Sequence, residues 1–79
     1  MIGAGSVARA TVTINDRAVA QTNADSVALV AADRGVDAAR DFARRANINV
    51  VAIDMSVNTA SATVRVGRFM ATADALKPE

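Results

Sequence analysis

Three aspartates at four-residue spacing are the residues of this chain best placed to bind a metal ion. Asp33, Asp37 and Asp41 would share one face of a continuous helix, and carboxylate oxygens suit calcium or magnesium. Four arginines are interleaved with them, at Arg34, Arg40, Arg44 and Arg45. Because acids flanked by arginines are more typical of a solvated, salt-bridged face, we predict no metal site here.

The usual catalytic residues are missing. The chain has no His, Cys or Tyr, which removes the commonest general base, the thiolate nucleophile and the main zinc ligands. Its four serines, Ser6, Ser26, Ser56 and Ser61, form no recognisable set with the carboxylates. Arg65 and Arg68 could bind a carboxylate or phosphate, but paired arginines on a hairpin are more often exposed or protect a sheet edge. We therefore predict a protein that is not an enzyme, with no catalytic residue and no cofactor.

The composition indicates one small folded domain over residues 1–79. The chain is 52% hydrophobic, but it has nineteen alanines, eleven valines and only two aromatic residues, Phe42 and Phe69. A domain of this size buries only about 60% of its unfolded surface, and small side chains bury less area each. We therefore expect contacts with other protein subunits. The net charge of +1 comes from interleaved basic and acidic residues, which argues against nucleic acid as a partner.

The stretch from Asp16 to Ala46 is the firmest predicted element, an amphipathic helix. Its apolar residues fall at helical spacing, and charges on the other face predict ion pairs of Asp37 with Arg40 and of Asp41 with Arg44 and Arg45. Gly35 either ends one helix, with Asp37 capping the next, or lets another helix approach closely. The candidate interface residues on the apolar stripe are Leu29, Ala32, Val36, Ala39, Phe42 and Ala43.

Alternation predicts strands after Asn47. Residues 48–53 are apolar on both faces, as in a strand covered on two sides; residues 56–61 read as a turn, and 62–69 alternate as the second strand of a hairpin. Residues 70–79 are expected to fray or to add one helical turn. Phe42 and Phe69 are expected to be the large core residues, touching across helix and sheet. If Phe42 is the main anchor, Phe42→Ala should cost several kcal/mol.

The N-terminal segment leaves alternatives open. Residues 10–14 are β-branched and alternate, which favours a strand, although nothing in them prevents a helix. Residues 1–9 are either the remnant of a membrane anchor or a disordered arm, since this apolar run stops well short of the roughly 20 residues that a span needs. We therefore predict an α+β fold: a central amphipathic helix, continuous or broken at Gly35, on a small antiparallel sheet with a C-terminal hairpin and with or without an N-terminal strand.

The stretch that begins at Arg17 has a glutamine followed by an Ala-rich run that includes one Asp and one Leu. Its residues are Gln21, Ala24, Asp25, Ala28, Leu29, Ala31 and Ala32. They match the Gln and Ala-Ala-Asp-x-Ala-Ala-Leu-Ala pattern of tight-adherence pilus-assembly proteins of the TadE and TadG type, which are minor-pilin-like, and residues 17–66 resemble that family. The segment 37–47 is similar to a later helix of the family that ends in Ala-Asn, and 62–66 to the short strand that follows.

The resemblance implies a structural role in pilus or secretion assembly. It implies a membrane helix in a segment absent from this chain, a helical stalk and a small β region outside the cytoplasmic membrane, with pilus or secretion components as partners. The strong bias to Arg over Lys and Asp over Glu fits GC-rich bacterial coding. The alternative function is a small homo-oligomer that binds a ligand between its subunits.

Overall fold

The computed structural model describes the backbone of residues 4–78 and the side chains of residues 16–78. Two helices, α1 (Ala4–Arg34) and α2 (Val36–Arg45), are followed by three strands, β1 (Asn49–Met55), β2 (Thr59–Val66) and β3 (Phe69–Leu76). The strands form one antiparallel sheet in the order β1-β2-β3, and the helices pack on one of its faces. The predicted α+β fold, with its helix broken at Gly35, is confirmed.

The core between helices and sheet consists mainly of alanine. Val27 on α1 and Val64 on β2 are the largest fully buried side chains. Because alanine reaches so little beyond the backbone, the helix can lie close to the strands. The other core residues are Ala20, Ala24, Ala28 and Ala31 on α1, Ala39 and Ala43 on α2, and Ala60, Ala62, Ala73 and Ala75 on the sheet.

The core stripe of α1 is not the predicted one. Leu29 is 61% exposed. At 3.6 residues per turn, Leu29 lies opposite the buried stripe that runs through Ala24, Val27 and Ala31. The predicted apolar stripe, which grouped Leu29 with Ala39 and Ala43, is therefore divided: the helix turns its small residues, not its leucine, to the sheet.

Gly35 separates the two helices. Its φ of 95° and ψ of 173° lie in a region that only glycine occupies readily. The chain keeps helical hydrogen bonds on both sides, from Gly35 N to Ala31 O at 2.9 Å and from Ala39 N to Gly35 O at 3.1 Å. Of the two alternatives, the end of one helix at Gly35 is the one found, but Asp37 lies in the first turn of α2 and no side-chain capping hydrogen bond forms there.

Asn47 lies just after α2, in the short loop that leads to β1. Its φ of 57° is left-handed, a conformation that Asn tolerates well. The Ile48 N–H donates to Ala43 O at 2.8 Å and the Asn47 N–H to Arg44 O at 3.2 Å. This pair of bonds is the Schellman motif, whose usual apolar contact corresponds here to Ile48 and Ala43.

The backbone of residues 10–14 is helical and belongs to α1, which decides between the two open alternatives. Each β-branched residue costs a helix only tenths of a kcal/mol, and no proline or glycine interrupts this part. The predicted anchor remnant or arm at 1–9 falls partly outside the described residues; from Ala4 onward its backbone is helical. Within the described residues, no helix is both long and apolar enough to cross a bilayer.

The strand β1 lies at the edge of the sheet, and a β-bulge explains why its sequence is apolar at consecutive positions. Val50 pairs with Val64 and Ala52 with Thr63, so Val51 is an extra residue opposite β2. The bulge shifts the alternation, and Val50 and Ile53 then face the helices together, opposite Val64 and Ala62. The expectation of a strand covered on both faces was wrong, since helices cover only one.

The segment predicted as a single strand over 62–69 is divided by a tight turn. Val66 pairs with Phe69 across Gly67 and Arg68, and Gly67 has a φ of 59°. A two-residue loop with glycine first is the pattern of a type II′ hairpin. The tail is therefore no frayed end or helical turn over 70–76; it forms most of β3.

The two phenylalanines lie at different places along α1. The Arg17 guanidinium stacks over the Phe69 ring, 5.0 Å from its centroid, whereas Phe42 lines a cleft with Val30. Arg17 and Val30 are about 20 Å apart along the helix, so the predicted contact between the rings was wrong. Since Phe42 is only half-buried, we lower the expected cost of Phe42→Ala to about 1–2 kcal/mol.

Candidate functional site

The three aspartates do not form a cluster. Gly35 turns the chain between Asp33 and Asp37, which removes the helical spacing on which a shared face depended. Asp41 pairs instead with Arg45 Nε at 3.0 Å and Arg44 Nη2 at 3.3 Å, as predicted. Among the described side chains, no three acidic groups are close enough to hold a metal ion.

Arg65 and Arg68 are not positioned to bind a ligand together. Arg65 extends from the outer face of β2, where its Nη2 lies 3.9 Å from Met70 Sδ. Arg68 is exposed in the turn after β2. The arginines therefore act from different parts of the hairpin.

The described serines lie in a turn, on a helix and on a strand. Ser56 closes the β1–β2 turn: its N–H donates to Thr59 O at 2.9 Å, its hydroxyl lies 2.6 Å from the Thr59 hydroxyl, and Lys77 Nζ donates to its carbonyl. Ser26 is half-buried on α1, and Ser61 faces outward on β2. Among residues 16–78 no buried side-chain polar atom lacks a partner.

The predicted interface residues divide into three groups by their exposure. Ala39 and Ala43 are already buried within the chain, so they are not available to a partner. Ala32 and Phe42 pack partly against the same core, and Val36 is half-buried at the start of α2. Of the six, Leu29 alone is largely exposed.

An open groove of about 490 Å³ lies where α2 passes the beginning of β1. Ile48 and Val50 supply its apolar wall, to which the buried Ala43 adds little exposed surface. Its charged lining consists of Asp37, Arg40 and Arg44. The groove therefore combines an apolar wall with more positive than negative charge.

This groove exists because α1 does not cover β1. The inner side chains of β1 are larger than the alanines of β2, yet Val50 and Ile53 are only half-buried and Met55 is 38% exposed. Sequence reasoning missed the groove because it treated residues 48–53 as covered on both sides. The signal available was the run Val50-Val51, which does not fit a regular alternation.

A second exposed surface lies on α1 opposite the core. Leu29 is at its centre, and Asp25 and Asp33 lie one turn before and after it. We call Asp25, Leu29 and Asp33 the α1 ridge. It presents one large apolar side chain between two carboxylates.

Comparisons with protein-family models, with curated proteins and with solved structures found no match to this chain.

Proposed function

We propose that the protein is a non-enzymatic assembly module that works through contacts with other protein subunits, similar to the part of a TadE/TadG-like pilus-assembly protein that follows the membrane anchor. The observation that carries the proposal is the inverted distribution of apolar side chains. Alanine fills the core, whereas several larger apolar residues are exposed on the described surface: Leu29, Val51, Met55, Val57, Met70 and Leu76.

This distribution favours a binding surface over a self-sufficient monomer. Single exposed apolar residues are common in soluble proteins. Here, however, Val57 is 89% and Leu76 78% exposed, while no side chain larger than valine is fully buried among the described residues. Burial of such side chains at an interface would contribute roughly 1.5–3 kcal/mol each.

The proportions of α1 and the sheet agree with a stalk and a small β region. A helix of 31 residues is about 46 Å long, whereas strands of seven or eight residues reach about 25 Å. The molecule extends 52 Å along its long axis and only 21 and 17 Å across it. Among the described side chains of α1, Ala20 is the first that is buried.

Photocrosslinking in the native host tests this proposal. A photoreactive amino acid placed singly at Leu29, Val57 or Leu76 should give discrete covalent adducts with protein subunits. The same amino acid at Arg68, exposed but polar, serves as the control. Adducts no stronger at the apolar positions than at Arg68 would contradict the proposal.

The groove supports a second candidate, a homo-oligomer that binds a small ligand between its subunits. Its volume lies within the range of roughly 300–1,000 Å³ that ligand sites occupy, and Arg40 and Arg44 would suit an anion. Co-purification of a bound anion or chromophore with a closed oligomer, detected by native mass spectrometry, would favour it.

A further inference from the structure

The α1 ridge and the groove between α2 and β1 each combine an apolar surface with charged side chains of the opposite sign. The ridge has an apolar side chain flanked by two carboxylates: Asp33 lies 3.7 Å from Arg34 Nε, whereas Asp25 accepts a hydrogen bond from Gln21 Nε2 at 3.2 Å and is in ion-pair distance of no cation among the described side chains. The groove has an apolar wall at Ile48 and Val50, and its charged lining, Asp37, Arg40 and Arg44, has a net positive charge. The two surfaces share no residue.

Arg40 is the groove cation most available to a partner. Arg44 and Arg45 both pair with Asp41. The predicted pair of Asp37 with Arg40 is not formed: within residues 16–78 no carboxylate lies within ion-pair distance of Arg40. Its guanidinium can therefore pair with a carboxylate of another molecule without breaking an ion pair within its own chain.

We propose that the groove receives the α1 ridge of a second copy of this chain. Leu29 of one copy enters the groove of the next and contacts Ile48 and Val50. Asp25, the ridge carboxylate that pairs with no cation of its own chain among the described side chains, then pairs with Arg40. This inference rests on the proposed assembly function and names both the partner and the contact surfaces.

The contact is head-to-tail. Each copy uses its ridge on one neighbour and its groove on another. A bound pair therefore still has one unoccupied ridge and one unoccupied groove. Such heterologous contacts produce rings if the rotation closes and open filaments if it does not. An association that stops at a dimer, using the same patch on both copies, is the alternative that the test must exclude.

Two complementary variants test the arrangement. Leu29→Asp removes the ridge and leaves the groove, whereas Arg40→Glu reverses the groove charge and leaves the ridge. Sedimentation velocity of the purified 79-residue chain should show mass rising beyond the dimer with concentration, and each variant alone should associate at least tenfold more weakly. Mixed in equal amounts, the variants should form dimers and nothing larger, because one intact ridge and one intact groove remain.

Thr72→Asp is the matched control, since it introduces the same charge at an exposed position on the outer face of the sheet, away from both the ridge and the groove. It should leave association unchanged, and circular dichroism should show all three variants folded. A wild-type chain that stays monomeric at millimolar concentration, an equal loss in Thr72→Asp, or no dimer in the mixture would overturn the inference. Photocrosslinks from Leu29 to a different protein would also overturn it, while leaving the proposed assembly function standing.

Discussion

The inner face of the sheet has two halves that are covered to different degrees. On β2, Ala62 and Val64 are almost completely buried under α1. Their direct partners on β1, Ile53 and Val50, are only half-buried, although they are as large or larger. Cross-strand partners share a backbone environment, so the difference comes from the helices above them.

The difference shows how alanine positions a helix. Where both surfaces are alanine-rich, α1 lies close to β2 and β3 and leaves no room for larger side chains. Over β1, the shorter α2 gives partial cover, and the larger residues there line an open groove. A core made of small residues can thus be tight in one region and leave a binding surface in the next.

The largest expected effect comes from enlarging a side chain under α1. Ala28 is fully buried, so Ala28→Leu should destabilise the fold by about 3 kcal/mol, because the helix must move off the sheet. Ala18 is on the exposed side of the same helix, and Ala18→Leu should change stability by less than about 0.5 kcal/mol. Urea unfolding followed by circular dichroism measures both. Equal midpoints would show that α1 is not closely packed on the strands.

A matched pair of truncations compares the two halves directly. Val64→Ala should cost about 2 kcal/mol, since a fully buried valine is removed from the core. Val50→Ala, at the partner position on β1, should cost about 1 kcal/mol or less, since that side chain is already half-exposed. Thermal unfolding of both variants measures the two losses of stability, which can then be compared. A larger loss at Val50 would mean that the groove side is the better packed half.

Gly35 controls whether α2 can reach the β1 side. Gly35→Ala should cost about 1–2 kcal/mol, because the backbone conformation there is costly for an L-residue. An added Cβ would meet no atom within 4 Å, so the cost comes from the backbone alone. A chemically synthesised chain with D-alanine at this position is the control and should retain wild-type stability. If the L- and D-alanine chains unfold at the same temperature, backbone conformation is not what Gly35 provides.

Local signals in the sequence were enough to predict part of this fold. The helix break at Gly35, the end of α2 near Asn47 and the turn after Met55 each follow from one or two residues with strong conformational preferences. The two ion pairs of Asp41 follow from spacing within one helix. Such features depend on neighbours in the chain, which the sequence displays.

The parts that could not be predicted depend on contacts between distant segments. Alternation alone could not show that Gly67 divides a strand, or that the Ala-rich tail pairs with β2. Alanine occurs on nearly every face of α1, so periodicity did not identify the buried stripe, and it placed the exposed Leu29 on one stripe with Ala39 and Ala43, which are buried. The groove depends on how far α1 covers the sheet, which no local pattern contains.

The smallest expected effect concerns the charges on the outer side of α2. Asp41→Asn removes both ion pairs, with Arg44 and with Arg45, yet all three side chains are substantially exposed. Exposed pairs of this kind contribute only about 0.3–0.5 kcal/mol each. Salt screens them, since the Debye length falls to about 3 Å at 1 M ionic strength. Asp41→Asn should therefore lower stability by about 0.5–1 kcal/mol at low salt, and the difference should shrink at 1 M NaCl. Asp74→Asn, on the outer face of β3, is the control and should show no salt-dependent change. A loss above about 2 kcal/mol that persists in high salt would mean that the Asp41 network, not apolar burial, holds α2 over β1.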